Sequence, residues 1–267
     1  MPQDRSMIRY RQGNGPKLLL IHGLGGTWQS WRLVLPRLTS AREVIVIDLP
    51  GHGDAPAEGD SGTFNGLTAS VERLLDREGW QGVDVVGSSM GGRMVLELSR
   101  RGLVGAAVAL DPGGFWQGWE RNYFDASLMA SGLLLRGLKA GLPALAKNTV
   151  LRNLLLLQLS ARASSLPSDF AADELKHFAN TGTCTALVTD LYNSPMQTGP
   201  SAASSGPVTI GWGRQDRLCL PAQAERALAA FPHATLHWFE RCGHFPMWDQ
   251  PEQTADLILR RTALGTN

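Results

Sequence analysis

Short apolar runs alternate with amphipathic segments along most of this chain. The runs are rich in Val, Ile and Leu and lack strict alternation, which is typical of parallel strands covered on both faces. They lie at residues 17–23, 43–51, 83–88, 105–111, 207–213 and 234–240. Between the second and third runs, Leu67, Val71 and Leu74 have the spacing of one helix face. The pattern predicts an α/β fold with a doubly wound, mostly parallel sheet.

The alternation stops between residues 114 and 205. This stretch is rich in leucine, has a helical pattern without a convincing strand, and ends in a Ser-, Gly- and Pro-rich segment. We therefore predict a core formed by residues 1–113 and 206–267, with residues 114–205 inserted as a helical cap. Packing of this insertion on the core is favoured over a membrane-surface helix, because a cap must bury one face. Its apolar character favours an apolar acyl or ring substrate.

The composition excludes several classes of protein. Of the 267 residues, 43% are hydrophobic and 18% are charged, so a large core can form and global disorder is excluded. The net charge of +1, with no basic cluster on one face, argues against nucleic-acid binding. Three widely spaced cysteines argue against a disulfide framework and favour a reducing compartment. No apolar run approaches the roughly 20 residues that span a bilayer. We expect a cytoplasmic protein without a membrane span, and the sequence does not indicate an oligomeric state.

The segment Gly87-Ser88-Ser89-Met90-Gly91 fits the pattern G-x-S-x-G with Ser89 at its centre. In a sharp turn from strand to helix, the central residue has a strained backbone, and the two glycines remove side chains that would collide. The turn presents the serine hydroxyl at the carboxyl edge of the sheet. Because the glycines flank Ser89 symmetrically and not Ser88, Ser89 is the predicted nucleophile.

A serine nucleophile requires a base and an acid that orients the base. After this turn the acid and then the histidine are expected in loops that follow later strands. Asp216 follows the run 207–213, and His244 follows the run 234–240. We therefore predict Asp216 as the acid and His244 as the base. No histidine pair has metal-ligand spacing, so no metal site is expected.

The glycine-rich stretch His22-Gly23-Leu24-Gly25-Gly26 follows the first apolar run. It lacks the spacing of a phosphate-binding loop, and therefore nucleotide binding is rejected. Its backbone can instead donate to an oxyanion, with Leu24 as one predicted donor and Met90, which follows the nucleophile, as the other. For His22 a structural role at this loop is favoured over catalysis.

Five segments together resemble the α/β-hydrolase superfamily, in the order found in that family: "LLLIHGLGG", "VIDLPGHGDA", "VVGSSMGG", "GWGRQDRLCLP" and "GHFPMWDQPE". The resemblance covers both ends of the chain. It implies the roles given above to Ser89, Asp216, His244, Leu24 and Met90, and it implies no cofactor. The insertion is similar to the cap between the sixth and seventh strands of that fold. Some relatives take their acid from the strand before the cap, which makes Asp111 an alternative to Asp216.

The resemblance is strongest to small bacterial esterases, lactonases, C–C bond hydrolases and perhydrolases. We expect a serine hydrolase that cleaves an ester, thioester or lactone of a small, largely apolar substrate through an acyl-enzyme. Alternatives are a C–C bond hydrolase of a diketone, an acyltransferase, and a non-hydrolytic lyase or ligand receptor. Candidate substrate-pocket residues are Gly25, Trp28, Trp116 and Phe245, although core packing explains the aromatic residues about as well.

Overall fold

A seven-stranded sheet forms the centre of the protein in this computed structural model, which describes residues 7–181, 184–200 and 206–262. The strands are β1 (Ile8–Gln12), β2 (Lys17–Ile21), β3 (Glu43–Ile47), β4 (Asp84–Ser88), β5 (Ala107–Leu110), β6 (Val208–Gly213) and β7 (Thr235–Phe239). Their order across the sheet is β1-β3-β2-β4-β5-β6-β7. Every neighbouring pair is parallel except β1 and β3. The predicted fold class and its six apolar strands are confirmed.

The edge strand β1 does not appear in the predicted set. Its sequence, IRYRQ, carries three polar side chains, and its residues are only partly buried. An antiparallel edge strand faces solvent along one side, so it does not need the continuous apolar run of a central strand. By contrast, Leu18, Leu19, Leu20 and Ile21 in β2 are fully buried.

Helices cover both faces of the sheet. They are α1 (Leu35–Leu38), α2 (Phe64–Glu78), α3 (Met90–Arg100), α4 (Trp119–Gly137), α5 (Leu142–Lys147), α6 (Thr149–Leu155), α7 (Ser168–Asn180), α8 (Cys184–Asn193), α9 (Ala222–Ala230), α10 (Pro246–Asp249) and α11 (Pro251–Thr262). The predicted helix between the second and third runs is α2, which starts at the Thr63 side-chain cap and ends at a left-handed Gly79.

Helices α4 to α8 lie between β5 and β6, and we call them the helical insertion. Their apolar sides join one core cluster with the sheet, through residues such as Leu135, Leu142 and Phe170. The Ser30 hydroxyl donates to Glu174 of α7 at 2.6 Å, and Arg32 pairs with Asp173 at 3.1 Å. The insertion therefore packs against the loop that follows β2.

The predicted boundaries at residues 113/114 and 205/206 remain predictions. The second boundary falls next to residues 201–205, which lie outside the described residues, as do 1–6 and 263–267 of the predicted core. Within the described ranges, no helix alone combines the length and apolarity needed to cross a membrane. One bent pair, Trp119–Gly137 with Lys139–Lys147 at 68°, meets those criteria by length and composition only.

Candidate active site

Ser89 lies in the sharp turn between β4 and α3. Its backbone has φ 57° and ψ −116°, a region that L-residues rarely adopt. A Cβ on Gly87 would lie 2.0 Å from the Gly91 carbonyl oxygen, and one on Gly91 would lie 2.4 Å from the Ile21 oxygen. The glycines at both positions are thus required for β4 and α3 to approach each other. Ser88 is fully buried at the end of β4. The predicted turn geometry centred on Ser89 is confirmed.

His244 lies in the loop after β7, and its Nδ1 is 2.8 Å from Oδ2 of Asp216 in the loop after β6. Oδ1 of Asp216 accepts from the backbone N–H groups of Leu218 at 2.8 Å and Cys219 at 3.1 Å. Because a carboxylate can only accept, the proton lies on Nδ1 and leaves the Nε2 lone pair free. Nε2 is buried and has no hydrogen-bond partner within the described part of the chain. Ser89 and His244 line the same cavity.

Asp111 follows β5 and is fully buried, with a left-handed φ of 44°. Its Oδ1 accepts from the Gly213 N–H at 2.8 Å. Burial and the adjacent charge of Asp216 raise the pKa of Asp111 well above its usual range. Burial and the neighbouring Asp216 thus favour the protonated form of Asp111. It is Asp216, and not the alternative Asp111, that is hydrogen-bonded to His244.

The glycine-rich loop after β2 lies directly against Ser89. A Cβ on Gly23 would be 2.9 Å from the Ser89 Cβ. His22 fixes this loop, because its Nδ1 is 2.7 Å from the Gly23 carbonyl and its Nε2 accepts from the Leu49 N–H at 3.0 Å. Burial lowers the pKa of His22 to about 4, so its ring is neutral. The structural role expected for His22 agrees with these contacts.

Leu24 and Met90 both line the cavity beside Ser89. Met90 is the first residue of α3, so its N–H has no acceptor within the helix. A helix N-terminus also favours negative charge. The structure thus brings both predicted oxyanion donors to the candidate nucleophile.

The cavity encloses about 850 Å³ between protein atoms, including the space at its open mouth. Its wall is largely apolar and comes mainly from the helical insertion. The insertion contributes Phe124, Leu128, Ser131, Gly132, Leu135, Leu155, Gln158, Leu159, Phe178 and Leu191. Trp116 and Phe245 also line it, as predicted for substrate-pocket residues.

Gly25 and Trp28, the other two predicted pocket residues, are not among the residues that line this cavity. A Cβ on Gly25 would lie 2.7 Å from the Phe178 ring, so that ring covers Gly25. Trp28 stacks on Tyr10 at 5.8 Å and lines a second, more polar cavity that includes Asp48. Trp28 is close to Leu24 in the sequence, which favoured a place in the same pocket. The chain turns away at the short 3-10 helix that Trp28 begins.

Most of the lining residues were not predicted, and Arg93 and Phe178 show why. Arg93 lies one helical turn after Ser89 on α3, a spacing that could have identified it from the sequence. Phe178 belongs to α7, and its position depends on how the insertion docks, which periodicity does not encode.

Asp216, Cys219 and His244 each offer a potential metal-ligand atom, and these atoms lie within 4.8 Å of one another. The donors do not suit a metal ion. Burial and the neighbouring Asp216 carboxylate raise the pKa of the Cys219 thiol well above its usual range, whereas a metal requires the thiolate. The oxygens of Asp216 already accept hydrogen bonds from His244, Leu218 and Cys219.

The parallel sheet and the strained serine at the end of its fourth strand define an α/β-hydrolase-type enzyme. A model of the alpha/beta hydrolase family matches residues 18–257, and the chain belongs to that family.

Relatives in this family carry several different names. The chain is 31% identical to the dihydrolipoyllysine-residue acetyltransferase component of the acetoin cleaving system of Cupriavidus necator, over 96% of this chain and 66% of that protein. It thus spans just under two thirds of that relative. It is 27% identical to a 2-hydroxy-6-oxononadienedioate/2-hydroxy-6-oxononatrienedioate hydrolase of Cupriavidus pinatubonensis, over 91% of this chain and 85% of the other.

Among solved structures, an esterase from Rhodococcus sp. ECU1013 superposes with a TM-score of 0.75. The two chains are 20% identical, and the match covers 97% of this chain and all of the other (100%). This likeness shows the shared fold.

Proposed function

We propose that this protein is a serine hydrolase that cleaves an ester, thioester or lactone of a small, largely apolar substrate through an acyl-enzyme. The observation that carries the proposal is the pairing of His244 Nδ1 with Asp216 at 2.8 Å, together with a free Nε2 in the cavity that Ser89 lines. This arrangement has the base, its orienting acid and the nucleophile at one edge of the sheet.

In the first half-reaction, His244 Nε2 accepts the hydroxyl proton as Ser89 Oγ attacks the carbonyl carbon. The carbonyl electron pair moves onto oxygen, where the N–H groups of Leu24 and Met90 stabilise the charge. Asp216 stabilises the imidazolium that forms. When the tetrahedral intermediate collapses, His244 passes its proton to the leaving oxygen or sulfur, and the acyl group stays on Ser89.

In the second half-reaction, His244 takes a proton from water, whose oxygen attacks the acyl carbon. The second tetrahedral intermediate then releases the carboxylic acid, and the proton returns to Ser89. In the apo protein, Ser89 and His244 Nε2 need not be hydrogen-bonded, because such bonds often tighten only when substrate binds. No cofactor takes part in these steps.

Two measurements test the proposal. A fluorophosphonate probe should label the folded protein at Ser89, and p-nitrophenyl acetate and butyrate should be hydrolysed. Ser89→Ala should abolish both labelling and turnover, whereas Ser88→Ala should keep them. Failure of the folded wild-type protein to label at Ser89 would overturn the acyl-enzyme mechanism.

A second candidate is C–C bond hydrolysis of a diketone by the same residues. It is favoured by the relative from Cupriavidus pinatubonensis, which is named as a hydrolase of 2-hydroxy-6-oxo dioates. Turnover of such a compound, followed by the loss of its dienol absorbance, at a kcat/KM far above that for p-nitrophenyl esters would favour this reaction. The reverse ratio would favour ester hydrolysis.

A further inference from the structure

Arg93 is a buried cation in the wall of an otherwise largely apolar cavity. Its residue is 3% exposed, and it lies on α3 one turn beyond Ser89. The guanidinium is held from two sides. Nη2 donates to the Pro195 carbonyl at 2.7 Å, and Nε donates to Oε1 of Gln197 at 3.4 Å. The central carbon of the Arg93 guanidinium lies 4.4 Å from the centre of the Phe64 ring. The side chain is thus fixed in position before any ligand binds.

The third nitrogen, Nη1, is buried and has no hydrogen-bond partner in residues 7–181, 184–200 and 206–262. Burial lowers the pKa of Arg93 to about 10, so the side chain is still a cation at neutral pH. An N–H group of a buried cation that lacks an acceptor is costly, and native proteins rarely leave one without a function.

The nearest acids do not supply that acceptor. Asp190 accepts from the Phe64 N–H at 2.8 Å and the Ser194 hydroxyl at 3.4 Å. Glu97 binds Arg100 at 2.7 Å and Arg101 at 2.7 Å. The charges of Asp190 and Glu97 favour the cationic form of Arg93 from a distance, while Arg121 opposes it. None of the ion pairs found between the described side chains includes Arg93.

We propose that Arg93 forms an anion-binding subsite for a carboxylate on the acyl part of the substrate, distinct from the bond that is cleaved. This inference deepens the proposed function and rests on it. The preferred substrates are then esters, or diketones cleaved at a C–C bond, whose acyl part carries a second, free carboxylate. Guanidinium and carboxylate are geometrically matched, and the hydrogen bond is strengthened by charge.

The surroundings favour a carboxylate over a phosphate. The cavity wall that includes Arg93 is largely apolar: the guanidinium carbon lies 6.0 Å from the centre of the Trp116 ring, and Phe124 and Leu128 line the same cavity. A phosphate carries more charge and needs several donors, whereas one nitrogen with two N–H groups suits a single carboxylate. Four residues along a helix advance by about 6 Å, so the backbone positions of Ser89 and Arg93 are about one helical turn apart.

The first test uses matched pairs of p-nitrophenyl esters. In each pair the acyl chain, derived from succinate, glutarate or adipate, ends either in a free carboxylate or in its methyl ester. For the wild-type protein, kcat/KM should be higher for the free acid in at least one pair. In Arg93→Met the acid-to-methyl-ester ratio should fall by about ten- to hundredfold, and Arg93→Lys should restore part of it. Using the ratio removes any general loss of activity in the variants.

Arg121→Met is the matched control, since it also removes one cation near the insertion. Arg121 donates to the Ser194 carbonyl at 3.2 Å and is not among the cavity-lining residues described. The acid-to-methyl-ester ratio of Arg121→Met should equal that of the wild-type protein. A wild-type preference for every methyl ester, or an unchanged ratio in Arg93→Met, would overturn the subsite.

A binding measurement separates this inference from the proposed function. Ser89→Ala should bind monomethyl glutarate more tightly than dimethyl glutarate by calorimetry, and the further change Arg93→Met should remove the difference. If wild-type protein hydrolyses no ester but this Arg93-dependent difference is found, the subsite stands and the proposed function fails. If esters are hydrolysed but the two ligands bind equally, the subsite fails alone.

Discussion

Asp111 and Asp216 lie side by side below His244, and their surroundings distinguish them. Asp216 accepts hydrogen bonds from two backbone N–H groups and from the imidazole N–H. Asp111 accepts one N–H, from Gly213, and its pKa is raised by burial and by the charge of Asp216. Of the two acids, Asp216 is the one hydrogen-bonded to His244, and Asp111 is the one whose protonated form its surroundings favour.

Asp216→Asn should lower kcat by about 10⁴-fold, because an amide at this position stabilises the wrong histidine tautomer and cannot balance the imidazolium. Asp111→Asn replaces an acid whose pKa is raised with a neutral amide of similar shape, which keeps an oxygen to accept from the Gly213 N–H. Its kcat should stay within about tenfold of the wild-type value. Steady-state kinetics on p-nitrophenyl butyrate, with circular dichroism to verify folding, measures both. A severe loss in Asp111→Asn with a mild one in Asp216→Asn would exchange the two assignments.

Two buried histidines make stability depend on pH. Burial lowers the pKa of His22 to about 4 and that of His52 to about 3, from an ordinary value of 6.5. The unfolded chain therefore binds more protons than the folded one below pH 6.5, so the stabilisation is complete above pH 6.5 and is lost as pH falls. Each histidine should lower the free energy of unfolding by about 2 kcal/mol as the pH falls from 7 to 5.

Urea unfolding at pH 7 and pH 5 measures this loss, and His52→Gln is the comparison. The variant should lose about 2 kcal/mol less than the wild-type protein over that interval, because one of the two histidines no longer titrates. The lowered pKa values of His177 and His237 contribute equally to both proteins and cancel. Equal losses in the two proteins would show that His52 does not carry the effect.

The turn between β4 and α3 is the element on which the candidate site depends. Its strain at Ser89 is maintained because β4 is hydrogen-bonded on both sides within the sheet and α3 packs closely above it. Gly87 leaves no room for a side chain, since its Cβ would collide with the Gly91 carbonyl. Gly137, at the end of α4, has open space around it and an ordinary φ.

The same substitution should therefore have opposite effects at the two glycines. Gly87→Ala should destabilise the protein by several kcal/mol or prevent folding, because backbone would have to move. Gly137→Ala should stabilise it by up to about 1 kcal/mol, since alanine loses less conformational entropy in a helix. Thermal unfolding of both variants measures the difference. A Gly87→Ala protein as stable as the wild type would refute the close packing of this turn.

Elements that must be buried on both faces could be predicted from the sequence. The runs that form β2 to β7 are apolar because helices cover both faces of the sheet. The order of Ser89, Asp216 and His244 in the chain follows the order of the strands that they come after. The strand β1 was not predicted because its polar residues interrupt the apolar pattern: Arg11 is exposed at the sheet edge, and Arg9 pairs with the buried Asp48. Trp28 lies outside the cavity because the chain turns away at a short 3-10 helix, whereas Arg93 could have been found from its spacing to Ser89. Phe178 could not, because its position depends on how the insertion docks on the core, a contact between segments far apart in sequence.

At the scale of the whole molecule, a hydrogen bond to the buried carboxyl group of Glu174 connects α7 to the core. Glu174 is fully buried, and one of its oxygens accepts from the Ser30 hydroxyl at 2.6 Å. Burial raises the pKa of Glu174 to about 8, so this group is neutral near pH 7. Its folded pKa lies above the unfolded one, so its stabilisation is complete below about pH 4.5 and is lost as pH rises through 8.

Glu174→Gln should remove this dependence, because glutamine keeps an oxygen for Ser30 and does not ionise. Between pH 6 and pH 8 the wild-type protein should lose about 2 kcal/mol of unfolding free energy relative to the variant. Parallel chemical denaturation of the two proteins at these pH values checks it. A constant difference would show that Glu174 does not titrate in this interval.

The helical insertion interrupts the chain once, between β5 and β6, yet it supplies most of the cavity wall. The proposed reacting groups Ser89, Asp216 and His244 all come from turns and loops outside it. One uninterrupted stretch of the gene therefore encodes most of the cavity wall that would contact the hydrocarbon part of a substrate. The codons for the residues proposed to cleave the bond lie on either side of that stretch. Under the proposed function, a library confined to α4 to α8 would vary the hydrocarbon part of the acyl group that is accepted and leave the reaction itself unaltered. Grafting this insertion from a relative would transfer that part of the choice, while the carboxylate subsite at Arg93 would stay with the core.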